Sequence, residues 1–232
     1  MEKDSLALSF SDSLTEDVSA MVGEFAEIGI DAIMDEGLLK DIPFISTAVS
    51  MFHIGKSIRE RYHIAKLKMF IEEFNQGIVN DRQREGYREK FRNNEKFRNQ
   101  ELQYILLILD RYMEPGKSQM LAKIYLAYLD EYIGWDEFRK YSEIIDRLLP
   151  GDYAELKKGN QYDVNHMNAT DSLLRLIALG FAMEHSKEIK VATTVGSIKI
   201  PPASEKNYEI TPFGMKFLSI IENKSNLFIS SC

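Results

Sequence analysis

A chain of 232 residues, 44% hydrophobic with net charge −7, can bury a core and fold as one large or two small domains. The acidic balance argues against a generic nucleic-acid binder, which needs clustered Lys and Arg to release counterions. The single cysteine, Cys232, leaves no intramolecular disulfide. The start Met-Glu-Lys-Asp-Ser lacks a signal peptide's basic and apolar regions, and no uncharged apolar run reaches the roughly 18 residues of a membrane-spanning helix. The expectation is a cytoplasmic protein.

Charge is unevenly spread. The segment 1–55 holds acids from Glu2 to Asp41 against only Lys3 and Lys40, whereas 56–98 is rich in Lys and Arg. An acidic head beside a basic middle suggests internal pairing or a charge-guided contact.

In chain order, residues 1–13 read as polar and frayed. Ser13 or Thr15 would then cap a helix over about 16–36, with Val18, Met21, Val22, Phe25, Ile28 and Ala32 on one face. Gly37 ends it, and Pro43 suits the first turn of a second helix, giving an αα-hairpin. On that second helix, 42–54, the residues Ile42, Phe44, Ile45, Val49, Met51 and Phe52 form an apolar face. Three occupants of this face compete: the protein's own core, a protein partner or second copy, and a lipid surface.

Beyond Gly55 the helical pattern resumes through Ile58, Tyr62, Ala65 and Phe70 to a stop at Gly77. One long helix is expected from Asn80 to Met113, its first half so charged that only a narrow stripe can be buried. There Arg82, Arg84, Arg88 and Arg92 form a candidate basic surface, with Asp81, Glu85 and Glu89 as oppositely charged neighbours along the helix. A solvated, salt-bridged face is the bland reading and an acidic partner the sharp one. Pro115-Gly116 breaks the chain, so domains are expected at 1–114 and 115–232. Helices follow over 117–133 and 138–149, closed by Pro150-Gly151, and a short helix runs over 152–158.

The last third reads as a helix over about 170–185, a strand pair at 191–195 and 197–200 turning at Gly196, and a third short strand at Tyr208–Ile210. Thr211 caps a final helix, 212–222, with Pro212 at its first position. The expected fold class is mainly α: a helical N-terminal body with an αα-hairpin, then a C-terminal winged-helix-like domain with a small β-hairpin. Such a domain brings Arg175, Lys190 and Lys199 forward as nucleic-acid contacts, although its would-be reading helix offers little besides Arg175.

The segment 123–149, containing Ile133-Gly-Trp-Asp-Glu-Phe138, the Ile-Pro entry within 37–62, and the ending Ile210-Thr-Pro-Phe-Gly-Met-Lys-Phe-Leu218 together resemble uncharacterised bacterial helical proteins. That resemblance covers most of the chain. It implies a helical body with a C-terminal winged-helix-like module and a place among phage-defence proteins. It transfers no active site.

Catalytic signatures are missing. His53, His63, His166 and His185 are widely spaced, no Gly-x-Ser-x-Gly or phosphate-binding glycine loop occurs, and Glu72-Glu73 point apart on a helix. The expectation is a non-enzymatic protein-interaction or regulatory component, without cofactor or metal, that binds a protein partner or itself. A winged-helix DNA-binding regulator and a membrane-active effector using 42–54 are the alternatives.

Overall fold

The computed structural model describes residues 2–15, 57–158, 170–188, 194–195, 198–199 and 204–222. It is mainly helical with a small antiparallel hairpin. The chain divides into two compact units, Met1–Asp146 and Arg147–Cys232. The chain from Pro115 to Asp146 falls within the first of these units. The expected helices 16–36 and 42–54, their hairpin and the face Ile42, Phe44, Ile45, Val49, Met51 and Phe52 lie outside the described residues.

In the N-terminal unit, α1 (Glu2–Thr15) corrects the expectation of a frayed terminus. Leu6, Phe10 and Leu14 recur every fourth residue, and Phe10 and Leu14 are fully buried where α1 packs on later helices. Thr15 is the last residue of this helix, and its hydroxyl donates back to the Ser11 carbonyl at 3.1 Å.

Helix α2 (Ile58–Gln76) starts at a capping box, in which Ser57 and Glu60 satisfy each other's backbone N–H groups. The expected single helix 80–113 is two, α3 (Asp81–Asn93) and α4 (Glu95–Arg111), broken at Asn94. Asn93-Asn94 is a weak helical pair whose side chains compete with the backbone, and the Arg98 guanidinium takes over the Phe91 carbonyl at 3.3 Å. Helices α5 (Gly116–Leu129) and α6 (Trp135–Arg147) follow.

The core of this unit is aromatic. Tyr125 of α5 sits fully buried among Phe70 and Phe74 of α2, Tyr128, and Phe138 of α6, with ring centroids 5.5–6.3 Å apart. Helix C-termini are met by cations from elsewhere in the chain. Lys66, 4% exposed, donates to the carbonyls of Asp110 (2.9 Å) and Tyr112 (2.8 Å) where α4 ends. Lys117 donates to Asp146 at the end of α6, and Arg88 to Thr15 at the end of α1. Each places positive charge at the negative end of a helix dipole and satisfies a carbonyl the helix leaves open.

In the C-terminal unit, α7 (Pro150–Leu156) has proline at its first position, and the Asp152 carboxylate accepts from the Leu149 N–H at 2.9 Å. Helix α8 (Asp171–Ala178) is shorter than the expected 170–185. Gly180, in the left-handed region at φ 78°, terminates it. The Gly180 and Phe181 N–H groups donate back to Ile177 (3.0 Å) and Leu176 (2.8 Å), a Schellman ending that turns the chain into a strand. Residues 182–185, expected as helix, accordingly open β1 (Ala182–Glu188), which pairs antiparallel with β4 (Ser204–Ile210). The strand pair expected near Gly196 is present as β2 (Thr194–Val195) and β3 (Ile198–Lys199). The third strand, expected at 208–210, runs the whole length of β4. Thr211 caps α9 (Pro212–Ile221), and its hydroxyl donates to the Gly180 carbonyl at 2.7 Å.

Two substitutions test these devices by urea denaturation. Lys66→Met keeps the apolar stem but strands the buried Tyr112 carbonyl and the part-buried Asp110 carbonyl, and a loss of about 1–3 kcal/mol is expected. Gly214→Ala would set a Cβ 2.5 Å from the Phe181 carbonyl oxygen, which is backbone and yields little. A loss of about 1–3 kcal/mol or more is expected there.

Candidate functional site

In the N-terminal unit, α3 and the end of α5 enclose a cleft of about 660 Å³. Gly86, Glu89, Lys90 and Asn93 recur at i, i+3, i+4 and i+7 and present one face of α3 to it, with Tyr128, Leu129 and Glu131 opposite. Gly86 contributes space, because nothing lies within 4 Å of where its side chain would be. Lys90 spans the cleft, its ammonium 2.7 Å from the Leu129 carbonyl at the end of α5 and 3.4 Å from Glu131. Glu131 has φ 63°, a left-handed conformation in a residue that is not glycine. Strain of this kind, on the order of 1–3 kcal/mol, gathers at functional sites.

Behind Tyr128 lies Glu101 of α4, 6% exposed. One carboxyl oxygen accepts from the Tyr128 hydroxyl at 2.6 Å, and the other is buried with no hydrogen-bond partner. The Tyr125 hydroxyl next to it is also buried and makes no well-formed hydrogen bond. Burial pushes the Glu101 carboxyl up to about 7; Tyr128, Lys90 and Tyr125 favour the anion and only partly oppose this. Beside this cluster Gln83 and Tyr87 of α3 both donate to Asp130, tying α3 to the chain just after α5. Trp135 closes the aromatic wall, its ring 5.3 Å from Tyr128, 5.5 Å from Tyr104 and 5.0 Å from Phe138.

The lining suits hydrogen-bond donors and cations: carboxylates of Glu89 and Glu131, amides of Asn93 and Asn94, and the Tyr128 ring. The Lys90 ammonium is already committed to Leu129 and Glu131. Among the described residues no three His, Cys, Asp or Glu side chains gather as a metal site. His63 stands 3.6 Å from Asp110, and His185 stands 2.8 Å from Glu209.

The expected site residues are dispersed. Arg82 and Arg92 are exposed, but Arg84 donates to Asn75 at 2.7 Å and Arg88 to the Thr15 carbonyl at 2.7 Å. Half of that basic surface therefore holds helices together. Arg175 is paired with Asp152, whose side chain is fully buried, at 2.7 Å. Lys199 lies opposite Thr194 in the β2–β3 pair, and Lys190 is outside the described residues. No helix of the described residues is long and apolar enough to cross a membrane.

Glu101, Tyr125, Tyr128 and Glu131 were not among the expected site residues. One signal pointed to Glu101: it shares an i, i+4, i+7 stripe with Ile105 and Ile108, both buried, which is an odd place for an acid. No protein-family model, curated protein or solved structure matches the chain.

Burial disfavours the Asp152 anion, yet the Arg175 guanidinium, the Leu149 N–H and the Ser172 hydroxyl outweigh it and hold the carboxyl below its usual range. A depressed acid stabilises the fold above its unfolded-state value and loses that contribution as pH falls through the folded one. Asp152→Asn should therefore melt lower at neutral pH and show a flatter acid limb. Thermal unfolding from about pH 2 to 7 checks this.

Proposed function

We propose that the chain is a non-enzymatic protein-interaction or regulatory component, whose winged-helix-like C-terminal unit serves protein contact. The order helix, hairpin, helix in α8, β1–β4 and α9 supports the winged-helix reading. A phage-defence setting rests on the family resemblance and belongs to this proposal.

The observation that carries the protein-contact reading is the Arg175–Asp152 pair. A DNA-reading helix presents Arg, Lys, Asn or Gln to base edges. Arg175 is the one Lys or Arg of α8, and it is turned onto a buried carboxylate instead. The outward face of α8 offers Leu174, 51% exposed, and the acid Asp171. An exposed leucine beside an acid suits a protein surface better than a phosphate backbone. Partners of this reading are a protein or a second copy. The DNA alternative rests on Lys199, Lys190 and the exposed pair Arg82 and Arg92. The membrane alternative rests on residues 42–54.

A photo-crosslinking residue placed at Leu174 and irradiated in cells should give a discrete protein adduct. A nuclease-sensitive adduct would overturn the reading. So would labelled duplex DNA that binds the purified chain at roughly 50 mM salt and dissociates steeply as salt rises.

A further inference from the structure

We infer that the cleft between α3 and the end of α5 is a receptor for one arginine side chain, presented on an exposed segment of a partner protein.

The cleft has room for such a side chain. Its volume of about 660 Å³ is that of a small-ligand site, and Gly86 leaves open the position where any other residue would project from α3. Helix α3 also supplies unused acceptors. Glu89 and Asn93, one turn apart, are exposed, and among the described residues neither side chain makes a hydrogen bond or an ion pair. A planar guanidinium carries a fork of N–H donors that can serve a carboxylate and an amide oxygen at once. An ammonium is a point charge and matches this pair less well.

The opposite wall is apolar and fixed. Leu129 and the Tyr128 ring form it. The Tyr128 hydroxyl donates to Glu101 at 2.6 Å, and its ring lies 5.3 Å from Trp135, 5.8 Å from Phe138 and 6.0 Å from Tyr125. A ring held on so many sides gives a guanidinium and its methylene stem a surface that needs no further ordering.

Charge decides the sign of the ligand. The Lys90 ammonium is 2.7 Å from the Leu129 carbonyl and 3.4 Å from Glu131, so lysine and glutamate offset each other. Arg88, the next cation along α3, donates to Glu85 and to the Thr15 carbonyl. The charge left over is the Glu89 carboxylate. An anion would be repelled by it, and a wholly apolar ligand would desolvate it without giving it a donor. Lys90, which already spans the cleft, shows that these walls accept a long basic side chain.

This site shares no residue with α8, so its test stands apart from crosslinking at Leu174. The probe is N-acetyl-arginine amide, whose ends are uncharged, titrated to roughly 50 mM at constant ionic strength into the isotope-labelled full-length chain. The amide resonances of Gly86, Asn93 and Leu129 are followed. The expected result is saturable binding with a Kd of about 1 mM, the strength a residue-sized ligand reaches. Glu89→Gln keeps the shape and removes the charge, and should weaken binding roughly threefold or more. Gly86→Leu fills the open position and should weaken it roughly tenfold or more, while leucine, the better helix former, keeps α3 folded. The uncharged isostere N-acetyl-citrulline amide should not saturate. Shifts that rise linearly with probe in the native chain, citrulline binding as tightly as arginine, or an unchanged affinity in either variant would each overturn the arginine site.

Discussion

A helix that ends inside a protein leaves carbonyl oxygens without partners and a partial negative charge to be answered. The N-terminal unit answers this repeatedly with long cationic side chains from other parts of the chain. Arg88 closes α1, Arg98 closes α3, Lys66 closes α4, Lys90 closes α5 and Lys117 closes α6. Each bond reaches across sequence, most of them from one helix to another, so local helix termination and tertiary assembly become one event. The basic middle of the chain is consequently structural in large part. Its charge is directed at helix dipoles inside the unit, with Arg82 and Arg92 left at the surface.

The cleft inherits its character from this arrangement. The Lys90 ammonium lies in the cleft beside Glu131, with its shorter hydrogen bond made to the Leu129 carbonyl. With Lys90 bound to the end of α5, the lining is dominated by acceptors and the Tyr128 ring. The same cation stands near Glu101 without neutralising it, which leaves burial to decide the protonation of that carboxyl. A single hydrogen bond from Lys90 to Leu129 thus links helix termination, cleft chemistry and the state of the acid behind it.

Much of the framework was legible in local chemistry. Ser57 and Glu60 mark a capping box, Pro115-Gly116 a break, Gly196 a hairpin, and Thr211-Pro212 a helix start, and each acts within a few residues. The misreadings came where a signal was tertiary or was one glycine deep. Residues 1–13 look polar until Phe10 and Leu14 are seen to need only one narrow stripe. The break at Asn94 depends on Arg98 folding back onto Phe91. The end of α8 depends on Leu179-Gly180-Phe181, a Schellman signature that the apolar run continuing into Phe181 and Ala182 disguised. The site was less legible still. Positive charge can be counted in sequence, but whether an arginine meets solvent or the end of another helix is a property of the packed state. For the same reason the pairing of Arg175 with Asp152 cannot be read from the sequence.

The hairpin of the C-terminal unit is built in two tiers, and this has a consequence for how the module can vary. Residue pairing runs unbroken from Ala182 and Ile210 to Glu188 and Ser204, and the smaller β2–β3 pair forms a separate sheet beyond it. The base is anchored by Thr211 and by the close approach of Gly214 to Phe181. Strand ends held about 5 Å apart by such a ladder impose little on what joins them, because the entropy of closing a loop grows only slowly with its length. A change in the number of residues between Glu188 and Ser204 should therefore cost the β1–β4 ladder little.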